Sequence, residues 1–132
     1  MTTENTGSYQ VTAWDEHPYF EREGEPKATR ASITDTFTGV IEGEGSAEML
    51  MLYTAEMSAT FAGHQRVNGS VAGRKGSFVL QVTGTWDAGV AKAEWSVVPG
   101  SGTGELADLH GTGGYVSGKD GACDLTLDHN LG

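Results

Sequence analysis

Apolar and polar residues alternate along most of this chain, which is the pattern of β-strands with one buried face. In residues 8–14, one face carries Tyr9, Val11 and Ala13, and the other carries Gln10, Thr12 and Trp14. Residues 28–45 form a longer extended stretch whose apolar face includes Ala31, Ile33, Phe37 and Ile41. No segment keeps an apolar helical stripe over three turns. The alternation predicts about eight strands, at 8–14, 28–45, 47–55, 61–73, 76–86, 90–98, 113–117 and 123–131.

Turn-forming residues separate these segments at short intervals. Residues 15–27 are predicted to be an acidic loop with two of the three prolines, 87–89 a hairpin turn, and 118–121 the last connection. Many short antiparallel strands form either a sandwich or a closed barrel. Glycines inside strand patterns help a small sheet to bend and close, and they occur at positions 39, 43, 63, 69, 73 and 84. We therefore expect one all-β domain over residues 1–132, an eight-stranded antiparallel barrel, with residues 1–7 as a flexible N-terminus.

Composition and charge narrow the classes of partner. The 132 residues carry 18 acidic and 8 basic side chains, for a formal charge of −10. Such a surface repels phosphate backbones, so we expect no binding to nucleic acid. The single Cys123 cannot form an intramolecular disulfide, which favours a reducing compartment. Without a basic, apolar leader or an apolar run of membrane-spanning length, we expect a cytoplasmic protein that does not enter membranes.

The glycine-rich segment "VVPGSGTGELADLHGTGGY" at 97–115 resembles a nucleotide-binding loop at first sight. Gly100, Gly102 and Gly104 alternate, however, and they lack the G-x-G-x-x-G spacing that opens a helix on a phosphate. Residues 113–120 fit a phosphate loop only as far as its lysine, since Asp120 stands where Ser or Thr would hold magnesium. We interpret Gly100, Gly102 and Gly104 as a tight structural turn and expect no nucleotide cofactor.

Metal-binding patterns are equally weak. Cys123 and His129 share a strand face, but six residues of strand separate them by roughly 20 Å, too far for one ion. Glu42 and Glu44 share a face at about 6–7 Å, and two solvated charges at a strand end explain them more simply than paired catalytic carboxylates. We expect no metal site.

Polar side chains inside apolar strand patterns are better candidates for chemistry. They are Glu48, Gln65, Arg66, Gln81 and Glu94, and Glu105 follows the glycine-rich turn. A polar group that points into a barrel must be hydrogen-bonded, and its pKa shifts toward a value useful in acid–base catalysis. A period of two does not decide which face is the inner one.

Several stretches together carry a family resemblance. The segments "FTGVIEGEGSAEMLMLYTA" (37–55), "GHQRVNGSVAGRKGSFVLQ" (63–81) and "WSVVPGSGTGELADLHGTG" (95–113) resemble a bacterial family of uncharacterised small proteins among the allene oxide cyclase-like barrels. The resemblance covers residues 9–127. It implies an eight-stranded antiparallel barrel with a central apolar cavity, often assembled into a homo-oligomer. Characterised relatives guide the cyclisation or coupling of hydrophobic small molecules without a cofactor.

Three hypotheses follow from this resemblance. The first is a cofactor-free isomerase or cyclase for a hydrophobic small molecule, with Arg66, Glu42, Gln65 and Glu105 as catalytic candidates. The expected cavity walls are Tyr53, Trp95, Phe78 and Met51. The second hypothesis is a non-catalytic protein that binds a small molecule in the same cavity. The third is a packed barrel that acts through its surface.

Overall fold

Eight antiparallel strands form a closed sheet in the computed structural model, which describes residues 5–117 and 122–130. Each strand pairs with the next along the chain, and the first pairs with the last. The strands are β1 (Thr6–Phe20), β2 (Lys27–Gly39), β3 (Ile41–Ala55), β4 (Ser58–Val71), β5 (Arg74–Asp87), β6 (Val90–Val97), β7 (His110–Ser117) and β8 (Ala122–Asn130). A single 3₁₀ turn, Gly104–Leu106, lies between β6 and β7. The prediction of an all-β fold with eight antiparallel strands is confirmed.

Three differences between the observed and the predicted strand ends concern β1, β2 and β3. Strand β1 continues to Phe20 through half of the segment expected to be a loop. The long stretch at 28–45 is two strands, because the chain turns at Gly39. Gly39 has a φ of 102°, a conformation that glycine adopts without steric strain. Strand β1 begins at Thr6, so Thr6 and Gly7, which were expected in the flexible terminus, pair with β8. Residues 1–4 and the predicted turn at 118–121 lie outside the described residues.

A β-bulge in β1 changes which side chains face inward. Val11 pairs with Asp35 and Ala13 with Thr34, so β1 has one extra residue between them. The extra residue inverts the alternation beyond it. Trp14 therefore joins Tyr9 and Val11 on the inner face, and the sequence-based assignment of Ala13 to that face is wrong.

One end of the closed sheet is filled by apolar side chains. The β6–β7 connection contributes Leu106 and Leu109, which are buried across this end. Below them lie the buried side chains of Val40, Ile41, Val67, Val71, Phe78 and Leu80. Burying a Val, Leu, Ile or Phe side chain is worth about 1.5–3 kcal/mol, so this end supplies much of the folding free energy. No helix in the described ranges has the length and apolar character needed to cross a membrane.

The glycine-rich connection after β6 runs along the edge of β5. The Val98 amide donates to the Val79 carbonyl at 2.9 Å, and the Thr103 amide donates to the Ser77 carbonyl at 2.9 Å. Gly102 has no room for a side chain, since a Cβ there would overlap the carbonyl oxygen of Leu106. The connection is thus held to the sheet by its backbone, and it seats Leu106 over the packed end.

Candidate functional site

The end of the closed sheet opposite Leu106 contains a pocket of about 400 Å³. Aromatic rings form much of its wall, and they belong to Tyr9, Trp14, Phe61, Trp86 and Tyr115. Aliphatic side chains, among them those of Val11, Ile33, Met49 and Met51, line the rest. Pockets of roughly 300–1,000 Å³ with apolar walls and a few polar groups are typical small-molecule sites. This pocket has those properties.

A carboxyl and an amide meet on the wall of this pocket. Asp35 on β2 and Gln65 on β4 are both buried, with 3% and 4% of their surface exposed. The Gln65 Nε2 donates to Asp35 Oδ1 at 3.1 Å and to the Arg66 carbonyl at 3.3 Å. Strand β3 runs between them and leaves the space empty at Gly45, where a Cβ would overlap both polar groups. The glycine therefore lets two non-adjacent strands share a hydrogen bond.

The surroundings of Asp35 favour its protonated form. Burial raises the pKa of Asp35 to about 6, although the hydrogen bond from Gln65 acts in the opposite direction. No Lys, Arg or His side chain occurs among the described residues that line the pocket. A carboxyl with a pKa close to neutrality both accepts and returns protons efficiently at physiological pH. Asp35 is the group in this pocket best suited to proton transfer.

Two tyrosines and a cysteine face Asp35 from other strands. The Tyr9 and Tyr115 rings meet edge to face with centroids 5.2 Å apart, and Cys123 lies beside them in the pocket wall. Burial raises the pKa of Tyr9 and of Cys123, and it raises the pKa of Tyr115 to about 12. All three groups are therefore protonated at neutral pH. Their hydroxyl and thiol protons are available for hydrogen bonding.

A second depression, of about 860 Å³, lies outside this pocket between the β1–β2 and β3–β4 turns. Glu16 lines it and accepts hydrogen bonds from the hydroxyls of Thr29 and Tyr53 at 2.6 Å each and from Trp14 Nε1 at 2.9 Å. Burial raises the pKa of Glu16, but the three hydrogen bonds together have the larger effect. The pKa of Glu16 is therefore below its ordinary value. A carboxylate that is fully engaged in this way holds strands together. Glu16 fixes Trp14 at the rim of the pocket.

Residues 5–129 match the model of a family described as a protein of unknown function, DUF3224. The chain belongs to the DUF3224 family. A crystal structure of another DUF3224 protein with unknown function, from Shewanella oneidensis MR-1, is similar over 98% of this chain and 97% of that one, with 30% sequence identity and a TM-score of 0.78. No curated protein matches the chain. The predicted membership of an uncharacterised family is thus confirmed, whereas the relation to allene oxide cyclases stays a prediction.

Among the predicted catalytic candidates of this DUF3224 protein, only Gln65 lies in the pocket. Arg66 and Glu42 point to the outer face of the sheet and are exposed, and Glu105 is exposed in the 3₁₀ turn at the packed end. Arg66 follows Gln65 directly, so alternation places the two side chains on opposite faces. The Glu105 carboxylate accepts a hydrogen bond from the Lys75 amide at 3.2 Å. The structure does not bring these four residues together.

The predicted cavity walls are also divided. Met51 lines the pocket. Tyr53 borders the second depression, with its hydroxyl on Glu16. Trp95 and Phe78 are buried in the packed core, where Trp95 Nε1 donates to the Thr126 carbonyl at 3.0 Å and its ring supports Tyr115 from a centroid distance of 5.3 Å. Trp95 thus supports the DUF3224 pocket from behind its wall, whereas Phe78 packs among the buried side chains below Leu106.

Sequence reasoning missed Asp35, Tyr9 and Tyr115 as site residues. A signal for Asp35 was present, because a carboxyl interrupts the apolar row between Ile33 and Phe37. Tyrosine in a strand has no such signal, since it fits both a core and a site. In the described parts of this DUF3224 protein, no group of three or more His, Cys, Asp or Glu side chains lies close enough together to hold a metal ion.

Proposed function

We propose that this protein is an allene oxide cyclase-like barrel that binds a hydrophobic small molecule in the Asp35 pocket and isomerises or cyclises it without a cofactor. The observation that supports this is the Asp35 carboxyl, which is hydrogen-bonded to Gln65 and faces an otherwise aromatic and aliphatic pocket. A buried carboxyl of raised pKa is costly for stability, so its presence in a pocket favours a chemical role.

The reaction suits the groups in the pocket. Confinement by the aromatic walls holds a flexible molecule in one conformation and lowers the entropic barrier to reaction. Asp35 takes a proton from one position of the molecule and returns it to another, so the enzyme ends in its starting state. Isomerisation needs no second reactant. Gln65 holds the carboxyl in place through its Nε2 and acts as a positioning residue.

A second candidate function is binding without turnover. The five aromatic rings of the pocket favour it, since such walls hold apolar molecules whether or not a reaction follows. A barrel with a filled interior that acts through its surface has less support, because the pocket occupies one end of the closed sheet.

Turnover distinguishes the two candidates. The purified protein is incubated with a cell extract, and mass spectrometry compares bound and released compounds. We expect a hydrophobic compound to be bound and converted by the wild type, and bound but unconverted by Asp35→Asn. Arg66→Ala is the control, since its side chain lies on the outer face, and it should convert the compound like the wild type. A compound that stays unchanged with the wild type would support the binding protein, and no retained compound would contradict both.

Filling the pocket with a large side chain should weaken binding. Ala91 lines the pocket and is partly buried, so Ala91→Trp places an indole in the space of the ligand. We expect affinity for an apolar fluorescent probe, measured by titration, to fall at least about tenfold. Ala62→Trp adds the same ring on the exposed outer face of β4 and should leave affinity unchanged. Equal affinity for both variants would place the binding site elsewhere.

Assembly into a homo-oligomer and a cytoplasmic location stay predictions of the resemblance and of the composition. Multi-angle light scattering of the purified protein measures the first, and fractionation of the source cells measures the second.

A further inference from the structure

The pocket presents different chemistry on its two sides. Asp35 projects from β2, and Tyr115 projects from β7, with β1 and β8 between them around the closed sheet. Both side chains line the same 400 Å³ space. One side therefore offers a proton acceptor, and the other offers a hydroxyl donor. A molecule between them contacts both.

The hydroxyl of Tyr115 belongs to the pocket wall and carries a proton at neutral pH. Tyr115 lines the pocket, and burial raises the pKa of its hydroxyl to about 12. Its ring is held edge to face by Tyr9 at 5.2 Å and is supported by Trp95 at 5.3 Å. The donor is thus fixed in position.

The charges around the pocket limit the ligand. Asp35 disfavours an anion beside it, and no described residue of the lining carries a positive charge to offset that effect. The net charge of −10 acts in the same direction. The polar end of the molecule is therefore not an anion when it binds. The molecule also carries a hydrogen-bond acceptor that Tyr115 can reach, and beside that acceptor an acidic proton that Asp35 can remove.

We propose that the substrate is an uncharged carbonyl compound, with Tyr115 as hydrogen-bond donor to the carbonyl oxygen and Asp35 as base for a proton on the adjacent carbon. This assignment rests on the proposed function and names its substrate class. The C–H bond breaks, its electron pair forms a carbon–carbon double bond, and the carbonyl electron pair moves onto oxygen. In a β,γ-unsaturated carbonyl compound the product of this step is a dienolate. Asp35 returns the proton to its γ-carbon, the double bond moves next to the carbonyl carbon, and the electron pair on oxygen re-forms the carbonyl. Nothing is oxidised or reduced, and no atom is gained or lost.

Tyr115 acts where charge develops. The carbonyl oxygen becomes an enolate oxygen in the transition state, and a preorganised donor stabilises that charge more than it stabilises the neutral ground state. Removal of one such donor costs roughly 10²–10³-fold in kcat in enzymes with a comparable oxyanion site. Tyr115→Phe removes this donor and keeps the ring.

Binding of a phenolate tests the assignment without knowledge of the substrate. The phenolate oxygen imitates the enolate, and Asp35→Asn imitates the uncharged carboxyl that follows proton transfer. We expect Asp35→Asn to bind para-nitrophenolate at least about tenfold more tightly than the wild type does, because the repulsion between two anions is gone. Adding Tyr115→Phe should weaken phenolate binding by about 10- to 100-fold, the worth of a hydrogen bond to a charged acceptor.

Isothermal titration calorimetry measures these affinities, and two matched controls accompany it. The methyl ether para-nitroanisole has no anionic oxygen, so its affinity should be the same with and without Tyr115→Phe. Tyr19→Phe removes a hydroxyl that is 62% exposed on β1, and in the Asp35→Asn background it should leave both affinities unchanged.

The outcomes separate the two proposals. If both probes bind and Tyr115→Phe weakens neither, the carbonyl substrate class and the role of Tyr115 are wrong, while the proposed binding function stands. If neither probe binds and Ala91→Trp also leaves apolar probes unaffected, the pocket is not a binding site and both proposals fail. Selective loss of phenolate affinity with Tyr115→Phe supports both.

Discussion

Replacement of Gly102 by valine is expected to lower the free energy of unfolding by about 3 kcal/mol, the upper end of the 1–3 kcal/mol that overpacking typically costs. A Cβ at this position would overlap the carbonyl oxygen of Leu106, which belongs to the backbone and cannot rotate away. The connection would have to leave β5, and Leu106 would leave the packed end. Because domains are stable by only about 5–15 kcal/mol, a large share of the stability would be lost.

Urea unfolding followed by tryptophan fluorescence measures this loss. Gly100→Ala is the matched control in the same connection. Gly100 has a φ of 85° but open space around its missing Cβ, so we expect only the strain of a left-handed alanine, about 1–2 kcal/mol. If Gly102→Val were no less stable than Gly100→Ala, the backbone contact with Leu106 would not be the reason for the glycine.

Asp35→Asn is expected to stabilise the protein above neutral pH while it removes activity. The pKa of Asp35 rises from an ordinary value of 3.8 to about 6 on folding, because the ionised form is poorly solvated in the pocket. A raised pKa means that the folded state binds the proton more tightly than the unfolded state does. The proton on Asp35 therefore stabilises the folded state. This stabilisation is complete below the pKa of Asp35 in the unfolded state and is lost as the pH rises through its pKa in the folded state. At pH 7 the ionised carboxyl therefore destabilises the fold by about 3 kcal/mol relative to its protonated form.

Asparagine keeps the shape and the acceptor for Gln65 but never ionises. The difference in free energy of unfolding between Asp35→Asn and wild type should thus grow from near zero at about pH 4 to roughly 2–3 kcal/mol at about pH 7.5. Asp108→Asn, at an exposed position, should show no comparable change between these pH values. A stability difference that is independent of pH would show that Asp35 is not desolvated in the folded protein.

The alternation of side chains predicted much of the architecture. It placed Ala31, Ile33 and Phe37 on one face of an extended stretch, and all three are buried inside the closed sheet. It also indicated about eight strands, and eight occur in the described residues. These properties could be predicted because a side-chain period of two is a local property of the chain.

The alternation did not predict the bulge in β1. An extra residue between Val11 and Ala13 is defined by pairing with β2, and it moved Trp14 from the outer face to the rim of the pocket. The same limit applies to Arg66 and Glu42. Their types suggested chemistry, but the inner face is determined by how the sheet closes, and both lie outside it.

The order of apolar and polar residues along the chain was sufficient to predict a strand-rich protein with alternating faces, since this alternation depends on neighbouring residues alone. The site depends on distant ones. Asp35 and Gln65 meet because the registers of β2, β3 and β4 align them across the gap at Gly45, and Tyr115 faces them only because β1 and β8 close the sheet. Register and closure result from the packing of the whole core, so only the tertiary structure could bring a proton acceptor and a hydroxyl donor into one pocket.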